Sequence, residues 1–174
     1  MKSLLRFGNY SSILLFLGAC ESVPDEMRVL EKSRQVEPSW MASGLGLKPT
    51  PEGVDYVICK DKVLDLPLGL VQAEASALYN LKFQMYQLVM SNVEGAGSSP
   101  KSTRDLHQAI SKILDKELTP SNLKDFYFDK VSLPLAENGL IPEHYRIYAY
   151  AHVDAKQRAT ITTAVKSYLK SSAR

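Results

Sequence analysis

The chain of 174 residues is poor in the side chains that most often carry chemistry, with two cysteines, three histidines and one tryptophan. His107, His144 and His152 are scattered, and no cysteine stands close to any of them. No spacing of the kind that holds zinc is present, so no metal ligand is nominated. Also missing are a Gly-x-Ser-x-Gly elbow, a glycine-rich phosphate loop and a His-Glu-x-x-His pair. Without them no nucleophile, base or cofactor cradle is marked, and the expectation is a non-enzymatic protein with no cofactor. Lysine and arginine number 21 against 19 acidic residues, with no basic run. That balance lacks the field that nucleic acid binding needs. There is no internal repeat and no low-complexity tract.

What is present begins at the N-terminus. Lys2 and Arg6 give a positive start, Ile13 to Leu17 a short apolar stretch, and Gly18-Ala19 two small residues. This is the layout of a secretory signal peptide. Gly8, Asn9, Ser11 and Ser12 interrupt the apolar stretch well short of the roughly 20 residues a spanning helix requires. Leu17-Gly18-Ala19-Cys20 resembles the lipobox of bacterial lipoproteins, in which an aliphatic residue and two small residues precede the modified cysteine. The resemblance implies removal of residues 1–19, a diacylglyceryl thioether on the sulfur of Cys20 and an acyl chain on its freed amine. Two or three chains at about 0.8 kcal/mol per buried CH2 hold far more firmly than one. Glu21 stands where an inner-membrane retention signal of this class has Asp, so the expected destination is the outer membrane. Lys2 and Arg6 leave with the signal, and the basic count falls from 21 to 19, equal to the acidic count.

Cys59 is then the remaining cysteine, no intrachain disulfide is expected, and its strand setting predicts a buried, inert thiol. Residues 20–37, charged and poor in large apolar side chains, read as a lipidated N-terminus and tether. One domain is expected over residues 38–174. Trp40 opens it and is expected to cover the domain edge. Gly44, Gly46, Pro49, Pro51 and Gly53 predict a loop. Val54 to Cys59 predicts a strand, and Asp65 with Pro67 a capped helix start. Leu70, Ala73, Ala77, Leu78, Leu81, Met85, Leu88 and Val89 recur at helical spacing, predicting a long helix to about Val93. A shorter helix is predicted over 102–118, with Ser102 and Asp105 as a weak capping box. An extended run follows over 123–135, then a turn at Asn138-Gly139. Tyr145 to Val153 is the clearest strand: Tyr145, Ile147, Ala149, Ala151 and Val153 take one face, and Arg146, Tyr148, Tyr150 and His152 the other. Asp154 caps a closing helix.

The order β-α-(α)-β-β-α predicts an α+β fold, a small and mostly antiparallel sheet with helices packed on one face. The Pro-Ser-Trp entry at Pro38, the long alanine-bearing helix and the Tyr-Arg-Ile-Tyr-Ala-Tyr strand resemble the small outer-membrane lipoproteins that include the flagellar basal-disc protein FlgP. That resemblance implies βαββα units packing side by side in rings or discs, to which the helix over 102–118 is an addition. The reading that results is an outer-membrane-anchored lipoprotein, on the periplasmic or the surface face, that makes protein–protein contacts as a repeated subunit of a cell-envelope assembly. The alternative is a periplasmic module that holds peptidoglycan, other glycan or a small apolar ligand. The candidate interface is Arg146, Tyr148 and Tyr150, since tyrosine and arginine bury area while keeping a polar contact. Otherwise the same face is a second core layer beneath the 102–118 helix.

Overall fold

A computed structural model of the chain describes residues 27–95, 103–132 and 143–172. The signal segment, Cys20, Glu21, Ser102, Pro134 and the Asn138-Gly139 turn lie outside them. The strands are β1 (Arg28–Lys32), β2 (Gly46–Thr50), β3 (Gly53–Val63), β4 (Leu123–Ser132) and β5 (His144–Asp154). The helices are α1 (Leu66–Gly95), α2 (Thr103–Glu117) and α3 (Ala155–Ser172). The strands form one antiparallel sheet in the order β1-β4-β5-β3-β2. The α+β class is therefore as the sequence implies.

All three helices pack on one face. Val54, Tyr56, Ala151 and Val153 from the sheet meet Leu81, Met85 and Val89 of α1, Leu106, Ile110 and Leu114 of α2, and Ile161 and Val165 of α3. A second cluster joins Val63, Ile147 and Ala149 to Ala73 and Ala77 of α1. Here α1 comes unusually close to the sheet. A Cβ on Gly69 would stand 2.2 Å from Val63 Cγ1 and 2.6 Å from Ile147 Cδ1. Gly69, Ala73 and Ala77, four residues apart, thus form a low seam that admits the sheet. The expected caps are in place: Asp65 accepts from the Leu68 N–H at 2.8 Å and Asp154 from the Gln157 N–H at 2.7 Å.

Two segments depart from the sequence reading. Residues 28–32, expected within the tether, form an edge strand beside β4. All five are exposed, so no apolar alternation marks them; the pairing is made by backbone. Residues 46–50, expected as loop, form the other edge strand. Pro49 is tolerated because one side of an edge strand needs no ladder donor. The β2–β3 turn depends on Gly53, whose φ is +153° and whose added Cβ would lie 2.1 Å from the Val153 carbonyl oxygen.

β1 and β2 stand at opposite edges, so the connection between them, residues 33–45, must cross the sheet. The helices occupy one face, and this strap takes the other.

Candidate functional site

The strap-side face is built from alternate residues of three strands. Register places Asp55 beside His152, Val57 beside Tyr150 and Cys59 beside Tyr148 on one flank of β5. On the other flank Asp125 pairs with Tyr150, Tyr127 with Tyr148, Asp129 with Arg146 and Val131 with His144. The sequence-predicted trio Arg146, Tyr148 and Tyr150 is thus brought together at the centre of the sheet.

The strap crosses at its upper end. The Ser33 N–H donates to the Phe128 carbonyl at 2.9 Å, and the Phe128 N–H returns to Ser33 Oγ at 3.0 Å. Arg34 donates through both terminal nitrogens to Asp125 at 3.1 and 2.7 Å, and to the Phe126 carbonyl at 2.7 Å. Trp40, held in a short 3-10 turn at Ser39–Ser43, stacks on Tyr150 at 5.4 Å and 10° and donates its indole N–H to Asp125 at 2.9 Å. Trp40 thus covers the central strand of the sheet, where its sequence position had suggested the domain edge.

Beneath lies a row of polar contacts. Arg146 and Asp129 form an ion pair of 2.7 Å with side chains 7 % and 5 % exposed. The Tyr150 hydroxyl donates to Asp55 at 2.8 Å, and His152 Nδ1 lies 2.7 Å from the same carboxylate oxygen. His144 Nε2 stands 3.2 Å from Asp61 without hydrogen-bond alignment. The Tyr127 hydroxyl lies beside Asp129, near enough to feel its charge but not aligned as a hydrogen bond. Burial, and then the Asp55 hydrogen bond and charge, push the Tyr150 phenol up to about 12. Burial and Asp129 also raise Tyr127, and burial raises Tyr148 although Arg146 opposes it. At Asp125 burial works upward, yet the hydrogen bonds from Arg34, Trp40 and the Phe126 N–H together hold the carboxyl below its usual range.

Three further expectations are corrected by the structure. As a free contact surface the trio is not what the chain presents: Arg146 is buried in its ion pair, Tyr150 lies under Trp40, and Tyr148 is half-buried beside Tyr127. Nor does the covering come from α2, which packs on the opposite face with α1 and α3. Cys59 is half-buried and disulfide-bonded, not an inert thiol; its partner falls outside the described residues.

At the end of β5 the face opens onto a shallow polar cleft of about 350 Å³, lined by His152, Ser121, Lys124, Lys156, Gln157 and Thr160. Its floor is structural. Asn122 donates to the His152 carbonyl at 2.9 Å and to Gln157 Oε1 at 2.7 Å, and Gln157 donates to the Glu117 carbonyl, tying α2, β5 and α3 together. His152 is held by Asp55, but among the described residues no serine or threonine hydroxyl bonds to it, and Ser121 is engaged with Thr119. The geometry supplies an oriented imidazole without a nucleophile beside it. Among the described residues no His/Cys/Asp/Glu group could hold a metal ion, and no helix is long and apolar enough to cross a membrane.

Set against known proteins, the chain matches no family model, no curated protein and no solved structure.

Proposed function

We propose that the chain is an outer-membrane lipoprotein, anchored through Cys20, whose α+β domain serves as a non-enzymatic, repeated subunit of an envelope assembly. The observation that carries the reading is Leu17-Gly18-Ala19-Cys20 at the end of a short apolar stretch with a basic start. The chemistry has one nucleophile: the Cys20 thiolate attacks the glyceryl carbon of a phospholipid, forming the C–S bond as the C–O bond to the phosphate head group breaks, and hydrolysis of the Ala19–Cys20 peptide bond then frees the amine for acylation. A domain whose polar strand face is closed by its own strap suits a contact-making role better than an open ligand cavity. Likeness to the basal-disc lipoproteins rests on the Tyr-Arg-Ile-Tyr-Ala-Tyr strand and the long helix, and extends the same reading.

Metabolic fatty-acid labelling of the full chain tests the anchor. Wild type is expected to incorporate label and to band with outer membranes on a density gradient. Cys20→Ser is expected to lose the label and accumulate unprocessed, and Glu21→Asp to shift the protein inward. Cys20 and Cys59 are the chain's two cysteines, and a sulfur in a thioether cannot also be in a disulfide, so the anchor requires a mature protein in which Cys59 is not paired with Cys20. Recovery of unlabelled chain with Cys20 in a disulfide-linked peptide would therefore overturn the reading, as would unchanged labelling in Cys20→Ser.

A further inference from the structure

α1 carries two apolar faces. One, through Ala73, Ala77, Leu81, Met85 and Val89, lies in the core. The other lies outside: Leu64 just before the helix, then Leu68, Val71, Tyr79 and Phe83, are 70, 56, 64, 72 and 36 % exposed. At 100° per residue these positions and the exposed Ala75 fall on one stripe, about 22 Å long from Leu68 to Phe83. Leu, Val, Tyr and Phe do not gather on a solvated helix face by the demands of folding.

We infer that this stripe is the contact surface for a second copy of the chain, the two α1 helices lying antiparallel across a twofold axis near Ala75. The inference deepens the subunit reading by naming the partner and the surface. Three observations support a copy. The area is sufficient: the exposed fractions amount to roughly 500 Å² per chain, about 1,000 Å² for a pair, where specific interfaces begin. The pattern is close to self-complementary: turned about Ala75, Val71 falls opposite the partner's Tyr79, and Leu68 falls level with the partner's Lys82, one residue from Phe83, with the small alanine at the crossing. The charge is permissive as well. From Leu66 to Leu81 the helix holds no lysine or arginine, and its one acid, Glu74, points away from the stripe at helical spacing. Lys82, at the stripe's end, is tied to Asp115 at 2.8 Å. No like charges therefore meet across the axis. The same lack of cations disfavours a lipid surface, since helices that lie on anionic membranes carry Lys or Arg beside the apolar stripe.

Sedimentation velocity of the full chain in mild detergent, over a hundredfold concentration range, tests this. Wild type is expected to dimerise. Val71→Lys alone and Tyr79→Glu alone should each weaken dimerisation at least tenfold, with melting temperatures within a few degrees of wild type. An equimolar mixture of the two should recover it, because each mixed pair sets the new lysine against the new glutamate. Val71→Ser and Tyr79→Ser, which only remove apolar area, repeat the test if a charged variant melts early. Undiminished association of folded variants overturns the stripe and leaves the subunit reading standing, whereas a monomeric wild type overturns both. Failure of the mixture to recover overturns the antiparallel copy. So does a monomer that binds anionic vesicles through the stripe.

Discussion

The central strand β5 serves two regions with opposite chemistry. On its helix side Ile147, Ala149, Ala151 and Val153 are fully buried against carbon. On its strap side His144, Arg146, Tyr150 and His152 each meet a carboxylate, from Asp61, Asp129 or Asp55. The helix side is held by area, which is non-directional and spread over many residues. The strap side is held by geometry, in which each charged group depends on one partner. The first region should degrade gradually under substitution, and the second should fail at single atoms.

The largest effect is expected where that dependence is deepest. Asp129→Ala leaves Arg146 buried without its counter-ion and should cost about 3–5 kcal/mol in urea denaturation. Replacing both partners, as Asp129→Leu with Arg146→Met, should recover most of that loss, since an apolar pair leaves no unpaired charge to desolvate. A single substitution costing under about 1 kcal/mol would show that water reaches the pair, and the contrast between the faces would collapse.

The helix side offers the complementary case at Gly69. Glycine to alanine inside a helix ordinarily gains up to about 1 kcal/mol. Here the added methyl would press on Val63 and Ile147, both on stiff branched side chains. Overpacking of about 1–3 kcal/mol should win, giving a net loss of stability. Val63→Ala, which opens the space, should reduce the penalty of Gly69→Ala in a double-mutant cycle.

The two regions also differ in how far they can be read from sequence. Apolar spacing in α1 and α2 and alternation in β5 point to the helix side, because periodic burial leaves a periodic record, while in α3 only Ile161 and Val165 are buried and Ala155, Ala159 and Thr162 are exposed. Asp65 and Asp154 cap where their positions imply. The strap side leaves no such record. Arg28–Lys32 is exposed throughout and Gly46–Thr50 is broken by proline, so neither edge strand shows alternation. With both edges hidden, nothing in the sequence says that residues 33–45 must cross a sheet face. Tyr148 and Tyr150 then look open when they are half-buried. Asp55, Asp125 and Asp129 were legible as strand residues, but their partners depend on register, which single-strand patterns do not supply. The outer stripe of α1 was not singled out in the sequence: Leu68, Val71, Tyr79 and Phe83 keep helical spacing, but only the fold shows that the core leaves them exposed.

The smallest expected effect sharpens the comparison most, because it separates area from geometry within one residue. Trp40→Phe keeps an aromatic ring over Tyr150 and removes only the indole N–H that Asp125 accepts. With Asp125 about a third exposed, the loss at neutral pH should be at most about 1 kcal/mol. Its pH dependence identifies the cause. Asp125 has a depressed pKa in the fold, so its contribution is present above its ordinary value of 3.8 and is lost as pH falls through the lower folded value. Removing one of the bonds that depress it moves the folded value back toward 3.8. The stability gap between wild type and variant should therefore be full above about pH 5 and close progressively on acidification, as Asp125 is protonated in both. Urea midpoints taken in steps from pH 7 to about pH 2.5 would show it. A gap that stays constant would assign Trp40 to packing alone, and the strap would then be held by area, as the helix side is.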